Sequence, residues 1–206
     1  MAKSSERLSL RERNKLRTRQ EILDATLEVF NDDGFAGTSI DKIAELGGIS
    51  KGTVYVYFPD GLNDIYREIY ADITGRLLKT TKEVRAKSSD PGKRIVAMAE
   101  ALLKLSEVPT YGRFYSVLSP ELRPVLTPVV GLASKQFIIF VASDLKETLG
   151  DSASEEQCTA LAELIVGSMR EAARIVSEEP GKKESLIAAL RRIVSSIAAE
   201  KILETQ

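Results

Sequence analysis

Thr38-Ser39-Ile40-Asp41-Lys42-Ile43-Ala44-Glu45-Leu46-Gly47-Gly48-Ile49-Ser50-Lys51-Gly52-Thr53-Val54-Tyr55-Val56-Tyr57-Phe58 reads as two short helices around a tight turn. Thr38-Ser39-Ile40-Asp41 has the composition of a helix start, because short hydroxyls accept the backbone N–H groups that a first turn leaves unbonded. Gly47-Gly48 breaks that helix, since glycine tolerates the backbone geometry of a sharp turn. Ser50 caps the second helix, which runs to about Tyr57 and is stopped by Pro59. Ile40, Ile43, Leu46, Ile49 and Val54 are expected to form the core the two helices share. A second helix set steeply on the first can enter a DNA major groove while the first spans the backbone. Its outward residues are then Lys51, Thr53, Val56 and Tyr57, with Gly52 permitting close approach. Short polar and apolar side chains suit base edges and thymine methyls, and Lys51 can donate to guanine. The helix starts at Thr38, Ser39 and Ser50 offer N–H groups to phosphates. The same pattern also fits an ordinary helical hairpin in which Tyr55 and Phe58 are core.

Working outward, nearly every segment has helical periodicity. Ile22, Thr26, Val29 and Phe30 share one face, and the run closes at Asn31-Asp32-Asp33-Gly34-Phe35, where Gly34 can take a left-handed cap with Phe35 folding back. Ser9-Leu10-Arg11-Glu12 has capping-box spacing, so this helix starts either at Ser9 or near Leu16. Asp60 is placed to cap a long helix from about Leu62 to Arg85. Ala86 to Gly92 is the clearest break, and Asp90-Pro91 opens a helix to about Glu107. Pro109, Pro120, Pro124 and Pro128 predict short helical turns over residues 108–128, with a continuous helix only afterwards, to about Leu149. Ser154-Glu155-Glu156-Gln157 opens a helix to about Val176, and Lys183 to Leu203 forms the last. The expectation is an all-α chain of about nine helices: a basic arm over 1–16, a helix-turn-helix domain over 17–77 and a helical domain over 78–206.

Composition narrows the chemistry. The 206 residues contain no histidine and a single cysteine, Cys158. This removes histidine-based nucleophile activation and leaves no zinc-ligand set, so the reading is non-enzymatic, with no cofactor and no metal. One cysteine also fits a reducing cytoplasm. No run is long and apolar enough for a membrane span, and the basic, polar start has no signal-peptide core. Net charge is −1, yet residues 1–20 hold Lys3, Arg7, Arg11, Arg13, Lys15, Arg17 and Arg19 against only Glu6 and Glu12. A basic arm on an acidic body suits contact with phosphates or an anionic surface, and equally a solvated terminus.

From Arg17 to about Ile73 the chain resembles the tetracycline-repressor (TetR) family. The likeness is carried by Arg19, Ile22, Phe30, Gly34-Phe35, Thr38, Ile43-Ala44, Gly48-Ile49-Ser50 and above all Gly52-Thr53-Val54-Tyr55-Val56-Tyr57-Phe58. The resemblance implies that Tyr55 and Tyr57 contact phosphates, that Lys51, Gly52, Thr53 and Val56 face bases, and that Thr38 anchors the DNA backbone. With Arg17, Arg19, Ser39 and Ser50 these are the expected DNA-binding residues. One departure stands out: the family usually has a lysine three residues after the aromatic, and here Phe58-Pro59-Asp60-Gly61 puts Gly61 there.

The resemblance further implies a homodimer, joined through the last two helices, on a palindromic double-stranded DNA operator. The apolar stripes Leu161, Leu164, Ile165, Ser168, Met169, Ala172 and Leu186, Leu190, Ile193, Val194, Ile197 are the candidate interface; such stripes are also ordinary core. It implies a small apolar or amphipathic effector, for which Met98, Leu102, Phe114, Tyr115, Phe137 and Phe140 are candidate linings. The function expected is a sequence-specific transcriptional regulator, a repressor released by its effector. The alternative is a non-enzymatic helical protein-interaction module.

Overall fold

In the computed structural model, residues 9–108, 111–112 and 122–204 are described. Eight α-helices and two 3-10 turns run through them, with no strand among the described residues: α1 (Leu10–Gly37), α2 (Ile40–Leu46), α3 (Lys51–Tyr57), α4 (Leu62–Arg85), α5 (Pro91–Ser106), α6 (Leu122–Leu149), α7 (Glu155–Glu178) and α8 (Lys183–Glu204). The chain divides into two compact units, the first ending at Ile69 and the second beginning at Tyr70. The expected domain boundary after residue 77 falls about two turns further along the same helix.

Local caps set most helix starts. Ser9 accepts from the Glu12 backbone N–H while the Glu12 carboxylate takes the Ser9 N–H, a full capping box. Of the two starts left open by the sequence, the earlier one is realised, and the basic segment from Leu10 is helical. Gly34, at φ +70°, bends α1 before its last residues, and the Thr38 hydroxyl donates to the Gly34 carbonyl at 2.7 Å. Asp90 caps α5 with Pro91 as its first residue, and Ser154 with Gln157 forms the capping box of α7.

Asp60 acts otherwise than expected. Its own N–H donates to the Asp64 carboxylate at 2.7 Å, and its carboxylate meets Arg67. A second correction concerns the proline-rich stretch. Where short turns were predicted up to residue 128, α6 begins at Leu122 and continues past Pro124 and Pro128. Pro124 sits in the first turn, where no intrahelical N–H bond is lost.

The first unit closes α1, α2, α3 and the start of α4 around Ile22, Phe30, Ile43, Val54, Phe58, Ile65 and Tyr66, all nearly or wholly buried. Leu46, expected in that core, is 48% exposed. It ends α2, where the chain is already turning at Gly47. Phe30 meets the Tyr66 ring edge-on at 6.2 Å between centroids, and Phe35 lies at 5.7 Å from it. Phe35 therefore folds onto Tyr66 of α4, a contact made possible by the bend at Gly34.

In the second unit α5, α6, α7 and α8 pack around Ile95, Met98, Leu103, Val141, Leu145, Ile165, Met169 and Val176. Within it Asp144 is fully buried. Arg85 and Arg94 both bind its carboxylate, Arg85 through Nη2 at 2.9 Å and Arg94 through Nε at 2.8 Å. Arg94 also pairs with Glu147, and Arg85 lies over the Phe140 ring. No described helix is long and apolar enough to cross a membrane.

Candidate nucleic-acid interface

The turn between α2 and α3 is built as the sequence suggests. Gly48 takes φ +61°, and the Ile49 N–H donates back to the Ala44 carbonyl at 2.9 Å. Ser39 caps α2 by accepting from the Lys42 N–H. Ser50 caps α3 by accepting from the Thr53 N–H at 3.0 Å, and its hydroxyl is 2.8 Å from that of Thr53. The apolar side of α3 is Val54, with Phe58 just beyond, both at zero exposure. Opposite them Lys51, Gly52, Tyr55 and Val56 are exposed, while Thr53 and Tyr57 are half-buried. Val56 is 79% exposed and Tyr55 50%, so Tyr55 is not a core residue. A seven-residue helix with this much apolar and aromatic surface outward is ill explained by folding alone.

Several expected contact residues are engaged within the unit. Arg19 grips Glu68 with two nitrogens, donates from Nη1 to the Tyr57 carbonyl at 3.0 Å and stacks 4.5 Å over the Phe58 ring. Its bonds to Glu68 hold the guanidinium above its ordinary pKa. Arg19, expected among the DNA-binding residues, therefore braces the end of α3 from behind. Thr38 is 7% exposed, and its hydroxyl serves the Gly34 carbonyl. Arg17 pairs with Glu21 one turn on. Lys51 is exposed, and its ammonium rests on Asp41 of α2. Burial pushes the Tyr66 phenol upward in pKa, partly offset by a hydrogen bond with Thr38.

Gly61 also finds its reason. It holds φ +59°, and a Cβ there would sit 3.4 Å from Tyr55 Cε1. The residue that replaces the family's usual lysine thus seats the Tyr55 ring in a left-handed turn.

The family of bacterial regulatory proteins, tetR family, matches residues 22–60, the segment that builds this turn and both its helices. This segment is a TetR-family helix-turn-helix. The chain is 29% identical over 113 residues to the HTH-type transcriptional regulator AcrR of Shigella flexneri, covering 55% of this chain and 47% of AcrR. The match thus spans about half the length of that curated relative. Among solved structures, a TetR-like regulator from Rhodococcus sp. RHA1 superposes with a TM-score of 0.70 at 19% identity, covering 90% of this chain and 96% of the other. The regulator FadR from Bacillus subtilis, in complex with stearoyl-CoA, does so at 0.69 and 17%, covering 87% and 97%. Likenesses of that identity establish the all-α fold along nearly the whole chain.

The other candidate residues are distributed unevenly. Met98, Leu102 and Phe137 lie in the packed core of the second unit, Phe140 is partly buried beneath Arg85, and Phe114 and Tyr115 fall outside the described residues. Of the two stripes, Ile165, Met169, Leu190 and Val194 are buried within the unit itself. Leu161, Ala172, Leu186 and Ile197 are partly buried, whereas Ser168, Leu164 and Ile193 are exposed, Leu164 at 73%. An apolar hollow of about 160 Å³ opens between α7 and α8, bordered by Ala172, Leu186, Ala189 and Ile193.

Sequence reasoning missed one further group. Thr74 and Thr81 on α4 are buried, and neither hydroxyl oxygen has a hydrogen-bond partner among the described residues. Thr26, by contrast, satisfies its hydroxyl on the Ile22 carbonyl one turn back. Their spacing of seven residues was available as a signal, since it places both on one helix face.

Proposed function

We propose that the protein is a homodimeric, sequence-specific DNA-binding transcriptional regulator, a cytoplasmic repressor released from a palindromic operator by a small apolar or amphipathic molecule. The observation that carries this reading is the outward face of α3, where Lys51, Gly52, Tyr55 and Val56 stand exposed on a helix fixed from behind by Val54, Phe58 and Arg19. Lys51, Gly52, Thr53 and Val56 face bases; Tyr55, Tyr57 and the helix starts at Ser39 and Ser50 face phosphates. Arg19 and Thr38 hold the turn in shape.

Dimerisation is supported by Leu164 of α7 and Ile193 of α8, both exposed, Ile193 at the border of the apolar hollow. A two-fold pair would present two reading heads about 34–36 Å apart, one DNA turn. The effector is supported by Thr74 and Thr81. A buried hydroxyl without a partner costs about 1–3 kcal/mol, which a ligand with an acceptor group recovers. That the FadR neighbour is seen with stearoyl-CoA supports a molecule of that amphipathic character.

Selection of bound fragments from random duplex DNA tests the first part. A palindromic consensus is the expected result, and recovery of no enriched sequence overturns it. Titrating a ligand with and without operator tests the second. A hundredfold release needs about 2.7 kcal/mol of coupling, and operator must then weaken the ligand by the same factor.

A further inference from the structure

The basic segment ahead of the helix-turn-helix is structured, and its charges are sorted. The capping box at Ser9 and Glu12 makes residues 10–18 the first turns of α1. On a helix, residues 11, 14, 15 and 18 form a single stripe, at spacings of three and four. In the structure Arg11, Asn14, Lys15 and Thr18 border an open cleft of about 920 Å³ whose opposite side is Val56 and Tyr57 of α3. Arg13 falls on the far side of that helix from the cleft, and Arg17 is taken by Glu21. Arg11 and Lys15, by contrast, have no ion-pair partner among the described residues. Glu12 also borders the cleft, but its carboxylate accepts from the Ser9 N–H at 2.8 Å and the Ser9 hydroxyl at 2.7 Å, bonds that hold its pKa down.

We propose that this cleft, walled by Arg11 and Lys15 on one side and Val56 and Tyr57 on the other, receives a strand of the phosphodiester backbone of the duplex read by α3. The proposal rests on the DNA-binding reading and sharpens it, because of the four cations between residues 11 and 17 only two bind phosphate. Three features of the cleft match that occupant. It is open, as a chain-like ligand running past requires, its two unpaired cations lie about 6 Å apart along the helix axis, and Asn14 and Thr18 together supply neutral donors. The capping box is then a positioning device: it winds the arm so that Arg11 and Lys15 face α3 before DNA arrives, which lowers the ordering cost of binding.

The test compares two double variants of equal charge in the full chain, Arg11→Ala with Lys15→Ala and Arg13→Ala with Arg17→Ala. Binding to a selected operator fragment and to random duplex is measured across salt. The first pair should weaken both DNAs on the order of tenfold at 0.1 M salt and reduce the salt slope by about 1.8 per bound subunit. The second pair should shift the slope by less than half as much. Equal effects would mean a diffuse charged arm and overturn the assignment, as would an unchanged slope in the first pair. A first pair that loses only anionic vesicles of phosphatidylserine, keeping DNA, overturns it in favour of a lipid. Ser9→Ala should weaken binding severalfold and Ser9→Asp restore it, since aspartate caps equally well. If the unaltered protein binds no duplex at low salt, the DNA-binding reading itself falls, and the cleft with it.

Discussion

The two units handle arginine in opposite ways. In the first, Arg19 joins Glu68, and both side chains remain about a third exposed while the guanidinium covers the Phe58 ring. In the second, Arg85 and Arg94 close on Asp144, whose side chain is 1% exposed, with the two arginines at 15% and 16%. The first arrangement sits at the edge of a small core and steers a neighbouring surface helix. The second is sunk into the packing of three helices, where a carboxylate is tolerated only because two cations and their N–H donors surround it. An ion pair at a surface edge thus positions a site, and a buried trio fixes an architecture.

Asp144→Ala is expected to have the largest effect. Removing the carboxylate leaves two guanidiniums in a poorly hydrated place, and a loss of about 3–5 kcal/mol is expected in urea unfolding followed by circular dichroism. Arg19→Ala should cost about 1–2 kcal/mol by the same measurement, since its pair is partly hydrated. Its larger consequence should be weaker DNA binding, because the end of α3 loses its brace at the Tyr57 carbonyl. Arg19→Lys should recover little of that, having one point charge where two bonded nitrogens and a planar stack were needed. Should Asp144→Ala cost no more stability than Arg19→Ala, the contrast between the two sites fails.

Thr81→Val sharpens the difference in the second unit. It removes an unpartnered hydroxyl at nearly constant volume, so the free protein should be as stable or slightly more so in a thermal melt. Effector affinity, once an effector is known, should fall about 5–10-fold by calorimetry, the worth of one hydrogen bond. Gly61 does the same for the first unit. Both Gly61→Ala and Gly61→Lys should lose about 1–2 kcal/mol, because the cost is the left-handed backbone and not the side chain. Only the lysine variant should steepen the salt dependence of DNA binding.

The smallest effect is expected at Glu12. Its pKa in the folded chain lies below the ordinary 4.5. The cap is therefore fully formed above that value and is lost as pH falls through the lowered one. NMR shifts of residues 10–16 should be constant from neutral pH to about 5 and drift towards coil only below it. Drift near neutrality would exclude the capping box as their cause.

What could be read from the sequence is what depends on neighbours along the chain. Ser39, Ser50, Asp90 and the Ser154–Gln157 pair cap helices because a side chain reaches N–H groups two or three residues on. Gly48 turns because of its own backbone freedom, and the outward face of α3 follows from Val54 and Phe58 facing in. The all-α fold and the helix-turn-helix are both of this kind. Tertiary structure alone decided the rest. Arg19 meets Glu68 across 49 residues and Arg85 meets Asp144 across 59, and nothing local in either partner announces the other. Leu46 looks like core by periodicity, yet exposure depends on what covers a face, and nothing in its unit covers that one. The same uncertainty divided the α7 and α8 stripes, with Ile165 and Met169 facing inward and Leu164 and Ile193 left in the open. Periodicity places a residue on a face of its helix; only the packing of whole helices determines which faces are buried.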